Sequence, residues 1–129
     1  MIVVDSSVWI ANLRNSDTAA VGRLRAMDDL DQILVGDLIL LEILQGARDE
    51  THARRIERSM WRFPVVSMLD PDLAVQAAAH YRLLCARGAT MRKTIDLIIG
   101  TFCLRHGHAL LHDDRDFAPM AEHLGLRIA

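Results

Sequence analysis

The sequence predicts an α/β fold in which a central, mostly parallel sheet carries helices on both faces. Short β-branched runs alternate along the chain with longer segments of helical periodicity, and this alternation is typical of βαβ units. At 129 residues the chain has the length of one domain, and we expect a single domain over residues 1–129. Hydrophobic residues make up 51% of the chain, which excludes a disordered protein.

The predicted strands are short apolar runs bounded by turn residues, as buried strands are. They are Ile2–Val4, Gln32–Val35, Val65–Ser67, Ala109–Leu111 and Leu126–Ile128. Because helical segments separate them, crossover connections would keep the strands parallel.

The predicted helices have recognisable start and stop signals. Asp5 and Asp37 can cap helix N-termini, Pro71 suits a first helical position, and Gly88 and Gly107 can end helices. The helices cover Val8–Leu13, Thr18–Met27, Leu38–Gln45, Glu50–Arg62, Pro71–Arg87, Ile95–Arg105 (begun by Thr94) and Phe117–Leu124. Residues 112–116 are expected to form a polar turn.

Composition and charge exclude several classes of protein. The net charge is −2, from 15 basic and 17 acidic residues, which excludes a simple basic DNA-coating protein. No apolar run is longer than the four residues of Leu38–Leu41, which is far shorter than the roughly 20 residues of a membrane span, and the first residues lack the pattern of a secretory leader. We expect Cys85 and Cys103 to be reduced core thiols of a cytoplasmic protein.

Acidic side chains occur in segments where a charge is costly. Glu42 is the only charged residue of Leu38–Leu44, and Asp96 lies within the apolar stretch Ile95–Ile99. Burying an unpaired carboxylate costs several kcal/mol, so such a group protonates, pairs with a cation or is avoided. Taken alone, either residue could be a salt-bridge partner or an acid favoured by a helix N-terminus.

Further carboxylates directly follow predicted strands. Asp5 comes after the first strand, and Asp113, Asp114 and Asp116 crowd the turn after Ala109–Leu111. In an open parallel sheet the strand ends and the helix starts share the edge where ligands bind, so all these acids should converge there. A divalent metal makes such a cluster tolerable at neutral pH, and oxygen ligands without cysteine favour Mg²⁺ or Mn²⁺. The sequence therefore predicts metal-assisted phosphodiester hydrolysis.

Four motifs in this order resemble the PIN-domain family and, more narrowly, the VapC toxins of bacterial type II toxin–antitoxin systems. The motifs are Asp-Ser-Ser-Val-Trp-Ile at 5–10, Glu42, Thr-Ile-Asp-Leu-Ile-Ile at 94–99 and Leu-His-Asp-Asp-Arg-Asp-Phe at 111–117. The similarity covers essentially the whole chain, so the implied fold is a single PIN-like domain.

The resemblance implies a Mg²⁺-dependent endoribonuclease, with Mn²⁺ as a substitute metal. Asp5 and Asp96 match the family's principal metal ligands, and Glu42 matches its helix acid, which would bind metal or orient the attacking water. Asp114 matches the fourth acidic position, and Asp116 belongs to the terminal Asp-Phe pair and would support the site from behind the ligands or through water. Asp113, next to Asp114, remains an alternative for the fourth position.

The resemblance also implies partners. We expect a VapB-like antitoxin that silences the enzyme, an RNA substrate, a homodimer and a location in the bacterial cytoplasm away from membranes. Ser7 matches a small hydroxyl beside the first aspartate, while Arg92, Lys93 and Arg115 are candidates for guiding RNA phosphates.

Several alternatives remain open from the sequence. A catalytically degenerate PIN-like module would bind RNA or protein without turnover, although all four acidic positions are filled. A phosphotransfer domain would use Asp5 as its nucleophile, and His106, His108 and His112 could be read as a zinc site despite an unsuitable spacing.

Two further features concern partners. The basic helix His52–Arg62 reads as a solvated face or a partner surface, and Met60, Trp61 and Phe63 are expected mostly in the core. Because aromatic residues make up only 5% of the chain, platforms for stacking RNA bases are not evident.

Overall fold

The computed structural model, which describes residues 1–129, contains a four-stranded parallel sheet with strand order β3-β2-β1-β4. The predicted α/β class and parallel sheet are therefore confirmed. The strands are β1 (Ile2–Val4), β2 (Ile33–Gly36), β3 (Val65–Val66) and β4 (Ala109–Leu111).

Seven α-helices connect and cover the strands. They are α1 (Ser6–Leu13), α2 (Ala19–Arg25), α3 (Asp37–Gln45), α4 (Glu50–Met60), α5 (Pro71–Ala86), α6 (Thr94–His106) and α7 (Ala118–Leu124). Two single-turn 3-10 helices, Leu30–Gln32 and Arg115–Phe117, were not predicted; the second occupies part of the expected polar turn. None of the helices combines the length and the hydropathy that crossing a membrane requires.

The order of the strands places helices on both faces of the sheet. The chain moves from β1 to β2 to β3 in one direction, then returns past β1 to β4. Since such crossovers are nearly always right-handed, α1–α4 fall on one face and α5–α7 on the other. The packing agrees, because α1 contacts α2 and α3, α3 contacts α4, and α5 contacts α6 and α7.

The reversal of the strand order creates a crevice between the carboxyl ends of the parallel strands β1 and β4. These strands pair in register, with Ile2 opposite Ala109 and Val4 opposite Leu111. The carboxyl edge of an open sheet at such a reversal is where ligands bind in α/β folds. Asp5 and the turn after β4 thus emerge side by side.

The predicted last strand, Leu126–Ile128, is reduced to a single parallel bridge between Leu110 and Ile128. The chain leaves α7 through Gly125, which is in a left-handed conformation (φ 74°), and then approaches the edge of β4. The Leu110 amide donates to the Arg127 carbonyl and the Ala129 amide donates to the Leu110 carbonyl, so only one residue is fully bridged.

The core is one cluster of 29 buried residues on both sides of the sheet. Helix α6 runs through its centre, since every residue from Asp96 to Cys103 is buried. Cys103 is therefore a core thiol, whose pKa burial raises to about 12, but Cys85 is exposed and the expectation that it is buried was wrong. Cys85 lies on α5, whose buried residues are Leu73, Ala77 and Leu84.

Candidate metal centre

Asp5 is held where β1 ends and α1 begins. Its backbone amide donates to the carbonyl of Leu111 at 2.9 Å, which ties the ends of β1 and β4 together. Its Oδ2 accepts hydrogen bonds from the amide of Ser7 at 3.1 Å and from the hydroxyl of Ser7 at 2.6 Å. As the cap of α1, Asp5 has a fixed side chain, and its other oxygen, Oδ1, is buried without a hydrogen-bond partner.

Asp96 lies in the first turn of α6 and is only 3% exposed. Its Oδ2 is also buried without a hydrogen-bond partner. Burial is the main cause that raises its pKa to about 7, and the negative charge of Asp5 adds to it, while Lys93 opposes the shift. Two buried carboxylate oxygens, on Asp5 and Asp96, thus lack the partner that buried charges normally have.

The turn after β4 brings Asp114 and Asp116 to the same place. Asp114 caps the 3-10 helix by accepting a hydrogen bond from the Asp116 amide at 2.9 Å. Lys93 donates from Nζ to Asp114 Oδ2 at 3.1 Å and lies 4.0 Å from Asp116 Oδ2. Although burial alone would raise the pKa of Asp114, the hydrogen bond from the Asp116 amide and the charge of Lys93 bring it below its usual value.

One carboxylate oxygen from each of Asp96, Asp114 and Asp116 lies within 4.8 Å of the other two. This compact group includes Asp116, which the sequence placed behind the ligands. Asp113 is exposed and does not belong to the group, so the structure brings Asp114 and not its neighbour into the cluster. Because like charges this close are unfavourable, the group suits a divalent cation.

Glu42 stands at the rim of this cluster on α3. Its Oε1 accepts a hydrogen bond from the hydroxyl of Ser6 at 3.1 Å. Partial burial raises its pKa, the hydrogen bond from Ser6 counteracts this, and the charges of Asp5 and Asp114 raise it further. Glu42 is therefore in electrostatic contact with the cluster without belonging to the compact group of three.

The chemistry of these donors fits a hard divalent cation. The candidate ligands are carboxylates only, which Mg²⁺ and Mn²⁺ prefer. Two of the acids offer buried oxygen atoms that nothing else in the chain satisfies. A cation would supply that missing partner and stabilise the charged form of Asp96 against the effect of burial.

The candidate substrate residues lie around the acids. Arg92 and Arg115 line a polar cleft of about 500 Å³ together with Asp113, Asp114 and Asp116. Ser7 lies between Asp5 and the turn after β4, since its hydroxyl also accepts the amide of Asp113 at 3.2 Å. Its contacts are those of a residue that positions Asp5.

Two residues of the site were missed from the sequence. Ser6 was named only as part of the motif at 5–10, and its hydroxyl donates to Glu42. His112 accepts the amide of Asp114 at Nδ1 (3.1 Å) and packs on Phe117 at 4.9 Å between ring centroids. Burial lowers the pKa of His112, which favours the neutral ring that can accept this hydrogen bond. A histidine and a serine beside predicted acids are too common to signal these roles.

The zinc alternative is not supported by this geometry. His106 and His108 precede β4, whereas His112 follows it. The three residues of β4 separate His108 from His112, and four steps along a strand span about 13 Å. The three rings thus lie at opposite edges of the sheet and cannot share one metal ion.

Comparison with known proteins identifies relatives over the full length of the chain. The family model described as PIN domain matches residues 2–123. The ribonuclease VapC11 of Mycobacterium tuberculosis is 30% identical over 131 residues, an alignment that covers all of this chain and 98% of that protein.

Solved structures share the fold at lower identity. VapBC-1 from nontypeable Haemophilus influenzae superposes with a TM-score of 0.75 at 18% identity, covering 100% of this chain and 97% of that one. A toxin–antitoxin complex from Klebsiella pneumoniae gives a TM-score of 0.72 at 20% identity, covering 92% and 91% of the two chains. At this identity the likeness establishes the fold.

Proposed function

The chain belongs to the PIN-domain family and, within it, to the VapC proteins, and from this premise we propose that it is a metal-dependent endoribonuclease that acts as a toxin. The observation that carries the proposal is the pair of buried carboxylate oxygens without partners, Asp5 Oδ1 and Asp96 Oδ2, beside a group of three aspartates. A structural salt-bridge network would leave no such oxygens.

The aspartates are the proposed metal ligands. Asp96, Asp114 and Asp116 form the compact group, and Asp5 contributes its free Oδ1 from the end of β1. Bound Mg²⁺, or Mn²⁺ in its place, supplies Lewis acidity toward the phosphate and lowers the pKa of a water molecule. Asp116, which was expected to support the site, is thus proposed as a metal ligand.

The remaining residues of the site are proposed to activate the water and to bind the RNA. Glu42, whose pKa is raised and whose Oε1 is held by Ser6, orients the attacking water and accepts its proton. Lys93, Arg92 and Arg115 bind phosphate oxygens at the mouth of the cleft. No serine or histidine nucleophile is needed for this hydrolysis.

A protein partner is part of the proposal. Because two of the solved neighbours are toxin–antitoxin complexes, we assign this chain a VapB-like antitoxin. A narrow groove between α1, α3 and α4, lined by Ile10, Leu13, Ile43 and Ile56, suits the apolar side chains of a bound helix.

Self-association is proposed at a different place. A groove of about 450 Å³ between α5 and α6 is mostly apolar and includes Leu69, Ala77, Tyr81 and Leu97. Leu69 and Tyr81 are among the exposed large hydrophobic residues, and such patches commonly mark interfaces. We place the homodimer contact there, and the protein in the bacterial cytoplasm where RNA is available.

The test of the enzymatic proposal compares Asp96→Asn with Asp113→Asn. The first change removes a proposed ligand and should abolish cleavage of RNA, a loss of at least 100-fold, while the fold is kept. The second neutralises an exposed acid next to the site and should keep activity within about threefold of wild type. Cleavage is followed on labelled RNA with Mg²⁺ and again in excess EDTA.

Two results would reject the proposal. Full activity of Asp96→Asn, or full activity in EDTA, would exclude the metal mechanism. Chelator-insensitive RNA binding without any turnover by the wild-type protein would instead favour a non-catalytic PIN-like module.

A further inference from the structure

We propose that the outward face of α4 is an RNA-docking surface, on which Arg54 and Arg58 bind phosphates and Trp61 stacks on a base. We call this surface the arginine face, defined by Arg54, Arg58, Trp61 and Arg62. The inference rests on the proposed function, because it assigns the surface to the same RNA that the acidic cleft would cut.

The geometry of α4 brings these side chains together. With about 100° of rotation per residue, Arg54, Arg58 and Trp61 fall within an arc of about 60°. The buried residues of the helix, Ile56 and Met60, point the opposite way. The face is therefore turned fully to solvent and is separate from the groove that Ile56 lines.

The arginines of this face have no carboxylate partners. No salt bridge within 4.0 Å in the structure involves a residue of α4. The only side-chain hydrogen bond of Arg54 is donated to the hydroxyl of Thr51 at 3.4 Å. The nearby acid, Glu57, is engaged by Trp61, whose Nε1 donates to its Oε2 at 3.0 Å. The guanidinium groups are thus available to an external anion.

Trp61 adds a feature that a merely solvated helix does not need. It was expected in the core, but 58% of it is exposed. The other tryptophan, Trp9, is buried and packs on Phe63 at 5.2 Å between ring centroids. The hydrogen bond to Glu57 fixes the edge of the Trp61 ring and leaves its faces free, which is what stacking of a base requires.

The charge distribution favours RNA as the occupant. The cleft combines three acids with Arg92 and Arg115 and the net charge is −2, so a further basic surface would add to the attraction of a polyanion. Helix α4 packs against α3, which carries Glu42, at the usual interhelical distance of about 8–10 Å. Helix α4 follows the end of α3 and is followed by the start of β3, so the arginine face lies toward the amino edge of the sheet. RNA bound there would cross the outside of the α3–α4 layer, about the 16 Å length of α4, to enter the cleft. Stacking of a base uses the faces of the Trp61 ring, while the arginines bind the phosphates on either side of that base.

The experiment measures binding of a fluorescein-labelled single-stranded RNA by the Asp96→Asn protein in EDTA, so that no cleavage intervenes. Arg54→Gln/Arg58→Gln is compared with Arg14→Gln/Arg23→Gln, which removes the same charge from exposed positions elsewhere. Loss of two phosphate contacts should lower the salt dependence, the slope of log K against log salt, by about 1.4. The control pair should leave the slope unchanged.

Trp61 is tested by its own fluorescence. RNA should quench the emission of the Asp96→Asn protein, and Trp61→Phe, which leaves only buried Trp9, should lose this quenching. Trp61→Ala should weaken binding by about 5- to 150-fold, whereas Trp61→Phe retains an aromatic ring and should lose less.

The outcomes separate this inference from the proposed function. If wild-type protein cleaves RNA but the arginine-face variants bind with the slope of the controls and without quenching, the inference is overturned and the nuclease stands. Poly-L-glutamate is added as a competitor of the labelled RNA. If it does not displace the RNA, and RNA binds as expected, the inference is supported. If poly-L-glutamate binds there and RNA does not, an acidic protein is the occupant and the inference is wrong.

Discussion

Asp96 and Asp114 are two aspartates in one cluster whose environments push their pKa values in opposite directions. Burial, and then Asp5, raise the pKa of Asp96 to about 7, whereas the Asp116 amide and Lys93 outweigh burial at Asp114 and lower its pKa. Near neutral pH the metal-free protein therefore keeps a fraction of its Asp96 side chains protonated. A divalent cation must displace that proton, so its affinity should rise with pH through this range.

The same shift predicts how Asp96→Asn changes the free energy of unfolding. In the metal-free wild type the folded state prefers protonated Asp96, so this stabilisation is complete below about pH 4 and is lost as the pH rises to about 7. Asn cannot ionise and avoids the loss. In EDTA, the free energy of unfolding of Asp96→Asn minus that of the wild type should therefore increase as the pH rises from about 4 to about 7. The increase should be at most roughly 4 kcal/mol.

Urea unfolding at a series of pH values measures this difference, and Asp113→Asn serves as the matched control. The control removes an exposed acid and should show a difference from wild type that hardly changes with pH. A constant difference for Asp96→Asn as well would mean that Asp96 ionises freely in the folded protein.

At this scale the sequence was most informative where a residue was in an unlikely place. Glu42 and Asp96 could be singled out because each interrupts an apolar helix, and Asp5 because it ends a buried strand. The contacts that hold them could not be predicted in the same way. Ser6 reaches Glu42 across 36 positions of sequence, and His112 acts through a local amide, so neither leaves a pattern along the chain.

Among the elements, α6 combines the proposed ligand Asp96 with more buried residues than any other helix. Gly100, one turn further along, allows α7 to approach closely, because a Cβ there would overlap Sδ and Cε of Met120. Met120 is fully buried and has little room to move. The position of Asp96 thus depends on a close contact between two helices on one face of the sheet.

Gly100→Ala should therefore destabilise the protein although alanine favours helices. The helix propensity gains about 1 kcal/mol, but overpacking against Met120 costs about 1–3 kcal/mol, so a net loss of about 1 kcal/mol is expected. Gly22→Ala in α2 is the matched control, since nothing lies within 4 Å of its Cβ, and it should gain about 0.5–1 kcal/mol. Equal stabilisation of both variants in urea unfolding would show that Met120 repacks freely.

The limits of element prediction follow from length. Long helices with clear signals, such as α5 with Pro71 at its start, were located within a residue. The last strand was overestimated because the alternation Leu-Arg-Ile at 126–128 satisfies the pattern of a strand whether or not the chain leaves α7 in position to pair. The 3-10 helix Arg115–Phe117 was missed because a single turn capped by Asp114 has the composition of an ordinary polar turn.

At the scale of the whole molecule, the acids meet only because the order in which strands are added to the sheet reverses, which places β4 beside β1. Asp5 and Asp114 are more than 100 positions apart in the sequence, and Asp96 arrives on α6 from the opposite face of the sheet from α1 and α3. The unfolded chain has no comparable arrangement of carboxylates. A metal that uses these ligands must therefore bind the native state alone, and its binding free energy adds to stability.

Divalent cations should consequently raise the melting temperature. At a concentration 100 times the dissociation constant the added stability is about 2.7 kcal/mol, which corresponds to a rise of roughly 10 °C for a chain of this size. Differential scanning calorimetry with and without Mn²⁺ measures the rise, and EDTA should reverse it. Asp5→Asn/Asp96→Asn should show little or no rise, whereas Arg14→Gln/Arg23→Gln should respond as wild type does. A similar rise in the doubly substituted site would mean that the cation stabilises another region of the protein, and the assignment of these aspartates as ligands would be wrong.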